Sequence, residues 1–269
     1  MRLLTIEKLN ILLVEPSHTQ QRIISGHLSE LGATSIDVKG TGSEALTLMK
    51  QYQPDVVISS MHLSDMTGTE LLQNMRNDDE LTDVPFLLIS SETNVRYLEP
   101  LRQAGVIAIL PKPYDLNQLH RALTAILDFL EPELDQALED YNLDEIRILL
   151  VDDSSTSRRF ISRILNNLGI TNIQEAENGK EGLTLIENEY FDLVITDYNM
   201  PEMNGHEFTA FVRKSSNQPG IPIIMITSVS DENRLAAVEQ LGVSAIYDKP
   251  FEAATIMRLI KSTILDGNI

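Results

Sequence analysis

Short apolar runs alternate with amphipathic stretches along the second half of the chain. The runs Arg147–Val151, Phe191–Thr196 and Ile221–Ile226 have the length and continuity of buried strands, and shorter strands are predicted at Ile173–Ala176 and Ala245–Tyr247. Apolar positions at helical spacing predict a helix after each strand. The predicted helices follow Ser154, cover Lys180–Glu189, run through Phe208 and Val212, and cover Asp231–Leu241 and Glu252–Leu265. The pattern therefore predicts five strand–helix units in this half.

The same pattern occurs twice in the chain at one fixed spacing. Ile11–Val14 recurs as Ile148–Val151, 137 positions later, and Lys112-Pro113 recurs as Lys249-Pro250. The glycine pairs Gly42 and Gly179, Gly68 and Gly205, and Gly105 and Gly242 keep this register without a gap. A single register across a whole half indicates a duplicated domain of about 120 residues. We therefore predict one domain over residues 1–130 and a second over residues 146–269.

The repeated order of elements predicts the class of fold. Five consecutive strand–helix units with short loops favour an α/β fold with a parallel sheet whose two faces are both covered by helices. We therefore predict two doubly wound, five-stranded parallel sheets, one in each copy. In such sheets ligands bind at the carboxyl ends of the strands, beside the point where the strand order reverses. Functional residues are expected at these strand ends.

The segment between the two copies has a composition of its own. Residues 131–145 include seven acidic and no basic residues. The apolar residues Leu134, Ala137, Leu138 and Tyr141 recur there at helical spacing. We predict an acidic helical linker.

Composition narrows the classes of function. The net charge of −19 makes the surface repel phosphate backbones and anionic lipid, so neither nucleic acid nor a membrane surface is an expected partner. No apolar run is long enough to span a bilayer, and residues 1–10 lack the apolar stretch of a signal peptide, so we expect a cytoplasmic protein. The absence of cysteine excludes disulfides, thiolate metal sites and cysteine nucleophiles.

Polar side chains stand at the ends of the predicted strands of the second copy. Asp152 and Asp153 follow the first strand, Asp197 ends the third, Thr227 ends the fourth, and Lys249 follows the fifth. Because parallel strands end at one edge of a sheet, three carboxylates, a hydroxyl and an ammonium group are expected to converge. Three neighbouring like charges need a cation. Mg²⁺ fits this set best, since it prefers a few carboxylates together with water and phosphate oxygens.

Three segments of the second copy resemble the receiver (CheY-like) domain of two-component response regulators. They are Ile148–Ser154, Val194–Pro201 and Asp248–Phe251, and the resemblance extends over nearly all of residues 146–265. It implies a flavodoxin-like fold with strand order 2-1-3-4-5. It also implies that the domain takes a phosphoryl group from a histidine kinase or a histidine phosphotransfer protein.

The resemblance further implies a role for each residue at the strand ends. Asp197 is the expected phosphoacceptor, Thr227 is expected to donate a hydrogen bond to a phosphoryl oxygen, and Lys249 is expected to neutralise phosphoryl charge. The expected Mg²⁺ ligands are Asp152, Asp153, Asp197 and the backbone carbonyl of Asn199.

The first copy keeps the pattern of the fold but not the chemistry. In the same register, Asp152, Asp153, Asp197, Thr227 and Lys249 correspond to Glu15, Pro16, Ser60, Ser90 and Lys112. Only one carboxylate is left, so a Mg²⁺ site is not expected, and Ser60 has no base to activate it. We predict that residues 1–130 form a degenerate receiver domain without a phosphoacceptor, in which Glu15 and Lys112 form an ion pair.

The leading hypothesis is a response regulator that accepts one phosphoryl group on Asp197 and signals by protein–protein contact. It is not expected to be an enzyme beyond catalysing its own phosphorylation, and a homodimer is one expected form. Two alternatives stay open. Met1 and the short tail after the last predicted helix favour a complete chain, but the sequence is also compatible with the receiver portion of a longer regulator whose effector domain is missing. A Mg²⁺-dependent phosphohydrolase with Asp197 as nucleophile is disfavoured, because Asn199 stands where such enzymes need a second carboxylate.

Overall fold

Two five-stranded sheets form the framework of the protein in this computed structural model. The structure describes residues 4–92, 94–131, 142–227, 242–248, 255, 256 and 260. The chain divides into two units, Met1–Glu133 and Leu134–Ile269, each with its own sheet. In the described part of the chain, no helix is both long enough and apolar enough to cross a lipid bilayer.

All strands of the first unit are parallel, in the order β2-β1-β3-β4-β5. Its elements are β1 Asn10–Val14, α1 His18–Glu30, β2 Ser35–Lys39, α2 Gly42–Met49, β3 Val56–Ser60, α3 Gly68–Arg76, β4 Phe86–Ser90, α4 Val95–Gln103, β5 Ala108–Pro111 and α5 Leu116–Leu130.

The second unit repeats this arrangement with the parallel order β7-β6-β8-β9-β10. Its elements are β6 Arg147–Val151, α6 Ser155–Asn167, β7 Asn172–Ala176, α7 Gly179–Asn188, β8 Leu193–Asp197, α8 Gly205–Ser215, β9 Ile223–Thr227 and β10 Ala245–Asp248. The predicted doubly wound fold and its 2-1-3-4-5 order are confirmed in both halves.

Three predicted helices fall largely outside the described residues. Asp231–Leu241 is not described, and of Glu252–Leu265 only residues 255, 256 and 260 are, all helical. Of the predicted linker helix, residues 132–141 lie outside the described ranges, and a 3-10 turn covers Leu143–Glu145.

The inner strands of each sheet include the most deeply buried ones. Every residue of β3, β4, β8 and β9 is buried, whereas most residues of the edge strands β2 and β7 are partly or fully exposed. Strands with both faces covered are typical of parallel sheets, and burial of their apolar side chains provides the main driving force for folding. The carboxyl ends of β6 and β8 lie side by side in the centre of the second sheet.

An arginine at the same position of each unit, buried in the first and partly buried in the second, joins the same two parts of the fold. Arg76, the last residue of α3, donates to the carbonyl oxygens of Ala104 and Gly105 at 2.9 and 3.1 Å. Arg213 of α8, at the equivalent position of the second unit, donates to Gly242 at 2.9 Å. These arginines join the third helix of each unit to the loop before its last strand. These contacts were not predicted from the sequence.

Glycine at the start of α3 allows that helix to approach the end of β3. A Cβ atom at Gly68 would lie 2.7 Å from the carbonyl oxygen of Ser60, a backbone atom that cannot move aside. Gly205 occupies the equivalent place in α8, where a Cβ would collide with the carbonyl oxygen of Asp197. Gly26 in α1 differs, because a Cβ there would meet nothing within 4 Å.

We predict opposite effects for two alanine substitutions in the first unit. Gly26→Ala is expected to stabilise it by about 0.5–1 kcal/mol, since alanine loses less backbone entropy in a helix. Gly68→Ala is expected to destabilise it by about 1–3 kcal/mol through overpacking against β3. Amide hydrogen exchange of β1 in the full chain measures both changes. A neutral Gly68→Ala variant would show that α3 can withdraw from β3 at no cost.

Candidate phosphoacceptor site

Three carboxylates converge at the carboxyl ends of β6 and β8. Asp152 and Asp153 directly follow β6, and Asp197 is the last residue of β8. One oxygen atom of each lies within 4.8 Å of one from each of the others. Asp152 and Asp197 are buried, whereas Asp153 is exposed. The structure thus brings together three of the residues that the sequence singles out, with one side of the cluster open to solvent.

Hydrogen bonds from the start of α6 fix the carboxylate of Asp152. Its Oδ1 accepts from the backbone N–H of Ser154 at 2.9 Å, and its Oδ2 accepts from the Ser157 hydroxyl at 2.6 Å. Ser154 is also the N-cap of α6, because its hydroxyl accepts from the N–H of Ser157 at 3.2 Å. The turn that starts the helix therefore orients the first carboxylate of the cluster.

Asp197 is held by the backbone that follows it. Its Oδ1 accepts from the N–H of Tyr198 at 2.6 Å. The carbonyl oxygen of Tyr198 accepts from the N–H of Gly205 at 2.9 Å, which closes the loop between β8 and α8. The contact of Gly205 with the Asp197 backbone explains why this position has no side chain.

The remaining predicted site residues are described to different extents. Thr227 is buried at the end of β9, the strand next to β8, with Ile226 paired opposite Asp197. Asn199 lies exposed in the loop after β8. Lys249, the residue after β10, lies outside the described residues.

The three carboxylates concentrate negative charge in a small volume. Carboxylates a few ångströms apart repel one another, and a cation between them removes that repulsion. The donors are all hard oxygens, and histidine and cysteine are absent from the group. This donor set suits a hard divalent cation.

In the first unit, an internal ion pair occupies the equivalent place. Glu15 is buried, and its Oε2 lies 3.3 Å from the ammonium nitrogen of Lys112 and also accepts from the Ser60 hydroxyl. Its Oε1 accepts from the N–H of Ser17 at 3.0 Å, as Asp152 does from Ser154. The predicted pairing of Glu15 with Lys112 is confirmed. Burial, together with the Glu15 carboxylate, raises the pKa of the neighbouring Tyr114.

The loop that follows the third strand is fastened to the second helix in both units, by different bonds. In the first unit, hydrogen bonds from the Ser43 hydroxyl and from the backbone N–H groups of Ser43 and Gly42 lower the pKa of Asp65 to about 2. In the second unit Glu202 holds the equivalent position and pairs with Lys180 at 3.2 Å on the surface. A surface pair of this kind contributes little stability.

Comparison with known proteins gives matches to both units. The family model of the response regulator receiver domain matches residues 11–124 and again residues 148–261. The chemotaxis protein CheY-3 of Vibrio cholerae is 38% identical over 111 residues, which are 41% of this chain and 85% of that protein. The chemotaxis protein CheY of Pseudomonas aeruginosa is 35% identical over 116 residues, covering 43% of this chain and 94% of that protein.

Solved structures with similar folds include one that matches along both units. It is described as a probable two-component system response regulator/GGDEF domain protein, and it is 23% identical over 97% of this chain and 99% of its own, with a TM-score of 0.43.

We predict that the Glu15–Lys112 pair contributes to the stability of the first unit. Lys112→Met leaves a buried carboxylate without its cation and is expected to cost about 2–4 kcal/mol. In the presence of Glu15→Gln the same substitution should cost less, with a coupling of about 1–3 kcal/mol. Exchange of the β1 amides in the four chains of this double-mutant cycle measures both values. Equal costs in the two backgrounds would mean that the pair adds no stability.

Proposed function

The chain belongs to the response regulator receiver family and is a two-component response regulator, and we propose that it is phosphorylated on Asp197 of its second unit. Phosphorylation on aspartate is general in this family. Receiver domains interact with histidine kinases or phosphotransfer proteins, and they are signalling modules rather than typical enzymes. The matched segment 148–261 includes Asp152, Asp153 and Asp197.

The convergence of three carboxylates at one sheet edge is the observation that carries this proposal. Of the two buried ones, Asp152 uses both of its oxygens to accept hydrogen bonds from the start of α6. Asp197 ends a central strand, at the position where the receiver resemblance expects the acceptor. Its counterpart in the first unit is Ser60, a hydroxyl bound to Glu15. Only the second unit therefore offers a carboxylate at this position.

In the proposed reaction, a carboxylate oxygen of Asp197 attacks the phosphorus of a phosphohistidine on the partner protein. An O–P bond forms and the N–P bond breaks, and the electron pair stays on the imidazole nitrogen, which takes up a proton. Phosphoryl transfer of this kind needs positioning and neutralisation of charge more than covalent chemistry from the protein. The bond from the Tyr198 N–H to Asp197 supports such positioning.

We propose Mg²⁺ as the cation of the cluster, because the oxygen donors fit it. Asp153 and Asp197 would hold it directly, Asp152 would act through water, and the backbone carbonyl of Asn199 would be a further ligand. When bound, Mg²⁺ supplies positive charge to the phosphoryl oxygens.

Two further residues are proposed to stabilise the phosphoryl group. The Thr227 hydroxyl, buried at the end of the strand beside β8, would donate a hydrogen bond to a phosphoryl oxygen. Lys249, the residue directly after β10, would add a positive charge.

The first domain, residues 1–130, is proposed to be a degenerate receiver that binds a partner without being phosphorylated. The ammonium group of Lys112 already neutralises its single site carboxylate, and Pro16 offers no ligand in place of Asp153. The acidic segment 131–145 would join it to the phosphorylatable domain, residues 146–269.

The proposed partners follow from this chemistry. A histidine kinase or a histidine phosphotransfer protein would supply the phosphoryl group, and the output would be contact with another protein in the cytoplasm, with a homodimer as one form. The net charge of −19 disfavours nucleic acid and membrane surfaces as targets.

We predict that the full chain takes up one phosphoryl group from acetyl phosphate in the presence of Mg²⁺, measured by intact mass. Asp197→Ala is expected to abolish the uptake, because it removes the nucleophile. Chelation of Mg²⁺ by EDTA should abolish it as well, because the charge on the phosphoryl oxygens is then not neutralised.

Ser60→Ala is the matched control, since it changes the equivalent position of the first unit. It should leave the uptake unchanged. Full labelling of Asp197→Ala would contradict the assignment, and labelling lost in Ser60→Ala would place the acceptor in the first unit.

A further inference from the structure

A buried arginine of α6 binds the backbone between two of the site carboxylates. The side chain of Arg158 is only 9% exposed, and its Nη1 donates to the carbonyl oxygen of Asp152 at 2.7 Å. That carbonyl group and the N–H of Asp153 belong to one planar peptide unit. The guanidinium group therefore fixes the plane from which Asp153 extends.

Two glutamates at the end of the neighbouring strand hold the guanidinium group in place. Its Nε lies 2.9 Å from Oε2 of Glu175, and its Nη2 lies 3.0 Å from Oε1 of Glu177. Glu175 also accepts from the Ser162 hydroxyl at 3.0 Å. With all three of its nitrogen atoms bound, the planar fork of Arg158 has one orientation, and its buried charge is neutralised.

The first unit has one part of this arrangement, the bond to the backbone, but not the charged cluster. In the first unit Gln21 stands at the position of Arg158, and its Nε2 donates to the carbonyl oxygen of Glu15 at 2.7 Å. The bond to the backbone is thus present in both units. Val38 and Gly40 replace the two glutamates, so the charged cluster is absent from the unit that also lacks two of the three site carboxylates.

We propose that Arg158 is a positioning residue for the Asp152–Asp153 peptide, and through it for the cation bound by the three carboxylates. The proposal rests on the proposed function of the second unit as a Mg²⁺-dependent phosphoacceptor. The Asp152 carboxylate is already fixed by Ser154 and Ser157. Asp153 is exposed, so the peptide plane before it decides where its carboxylate can reach. Outer contacts of this kind commonly set metal affinity.

A positioning role and a purely electrostatic role of Arg158 predict opposite changes in Mg²⁺ affinity when this arginine is replaced. Removing a positive charge near a cation site should strengthen Mg²⁺ binding if charge alone matters. Removing the bond that orients Asp153 should weaken it. The glutamates left behind are already 40% and 67% exposed, so water can solvate them and the unit is expected to stay folded.

The test is isothermal titration of the full chain with MgCl₂, with circular dichroism to check the fold. Arg158→Met removes the carbonyl bond and is expected to weaken Mg²⁺ binding about tenfold, within the range found for outer contacts of metal ligands. Arg158→Gln removes the charge but can keep the bond, as Gln21 does, and should bind Mg²⁺ at least as tightly as the unchanged protein. Gln21→Met is the matched control in the first unit and should have no effect.

Each outcome decides between the explanations. Unchanged or tighter binding in Arg158→Met would overturn the proposal in favour of electrostatics. A tenfold loss in a folded Arg158→Gln would also overturn it, and this arm decides even if the methionine variant does not fold. If the unchanged protein binds no Mg²⁺, the proposed function itself fails, whatever the variants do.

Discussion

The main constraint on the second unit is the negative charge concentrated at the carboxyl ends of its inner strands β6 and β8. The strand order places the ends of β6 and β8 side by side, which brings oxygens of Asp152, Asp153 and Asp197 within 4.8 Å of one another. Repulsion between such groups opposes folding, and the bonds from Ser154, Ser157 and Tyr198 help to offset it. A ligand that binds only the folded state stabilises it, so the proposed Mg²⁺ would also stabilise this part of the second unit.

The two units differ in the charged groups that they place at the equivalent strand ends. The first has one site carboxylate, Glu15, and balances it with the ammonium group of Lys112 and the hydroxyl of Ser60. All the charges in that arrangement come from the protein. The second has three carboxylates at the equivalent edge. In the proposed function, Mg²⁺ would join Lys249 in balancing these charges, and the charge at this site would change with phosphorylation.

The apolar pattern predicted the strands well but placed two of their starts too early. Phe191 is buried, as the pattern indicates, but its N–H donates to Gln218 instead of a strand, and β8 begins at Leu193. Ile221 is likewise bound in a turn, so β9 begins at Ile223. Burial can be predicted from a sequence because apolar residues recur with a regular period. The hydrogen-bond partner of a backbone group cannot be predicted in this way, because it depends on residues that are distant along the chain.

For the same reason, the contacts of three arginines were not predictable from the sequence. Arg76, Arg158 and Arg213 all donate to backbone carbonyl groups, and such acceptors leave no trace in the side-chain pattern. The Glu15–Lys112 pair, in contrast, was predictable, because both partners are charged side chains at positions aligned with the predicted site. The fixed repeat spacing offered one more signal, since Arg76 and Arg213 are related by the same offset as the glycines.

The duplication also distinguishes what the fold requires from what the chemistry requires. Gly68 is present although Ser60 stands where the second unit has Asp197, because the close contact is with a backbone carbonyl that both units have. Arg76 and Arg213 likewise bind backbone carbonyl groups at equivalent places in the two units. Gln21 and Arg158 do the same, each in its own unit. The features confined to the second unit are side-chain charges: Asp153, Asp197, Arg158, Glu175 and Glu177. The two glutamates belong to this group although they lie at and just after the end of the neighbouring strand, which agrees with the role proposed for Arg158 at the carboxylate cluster.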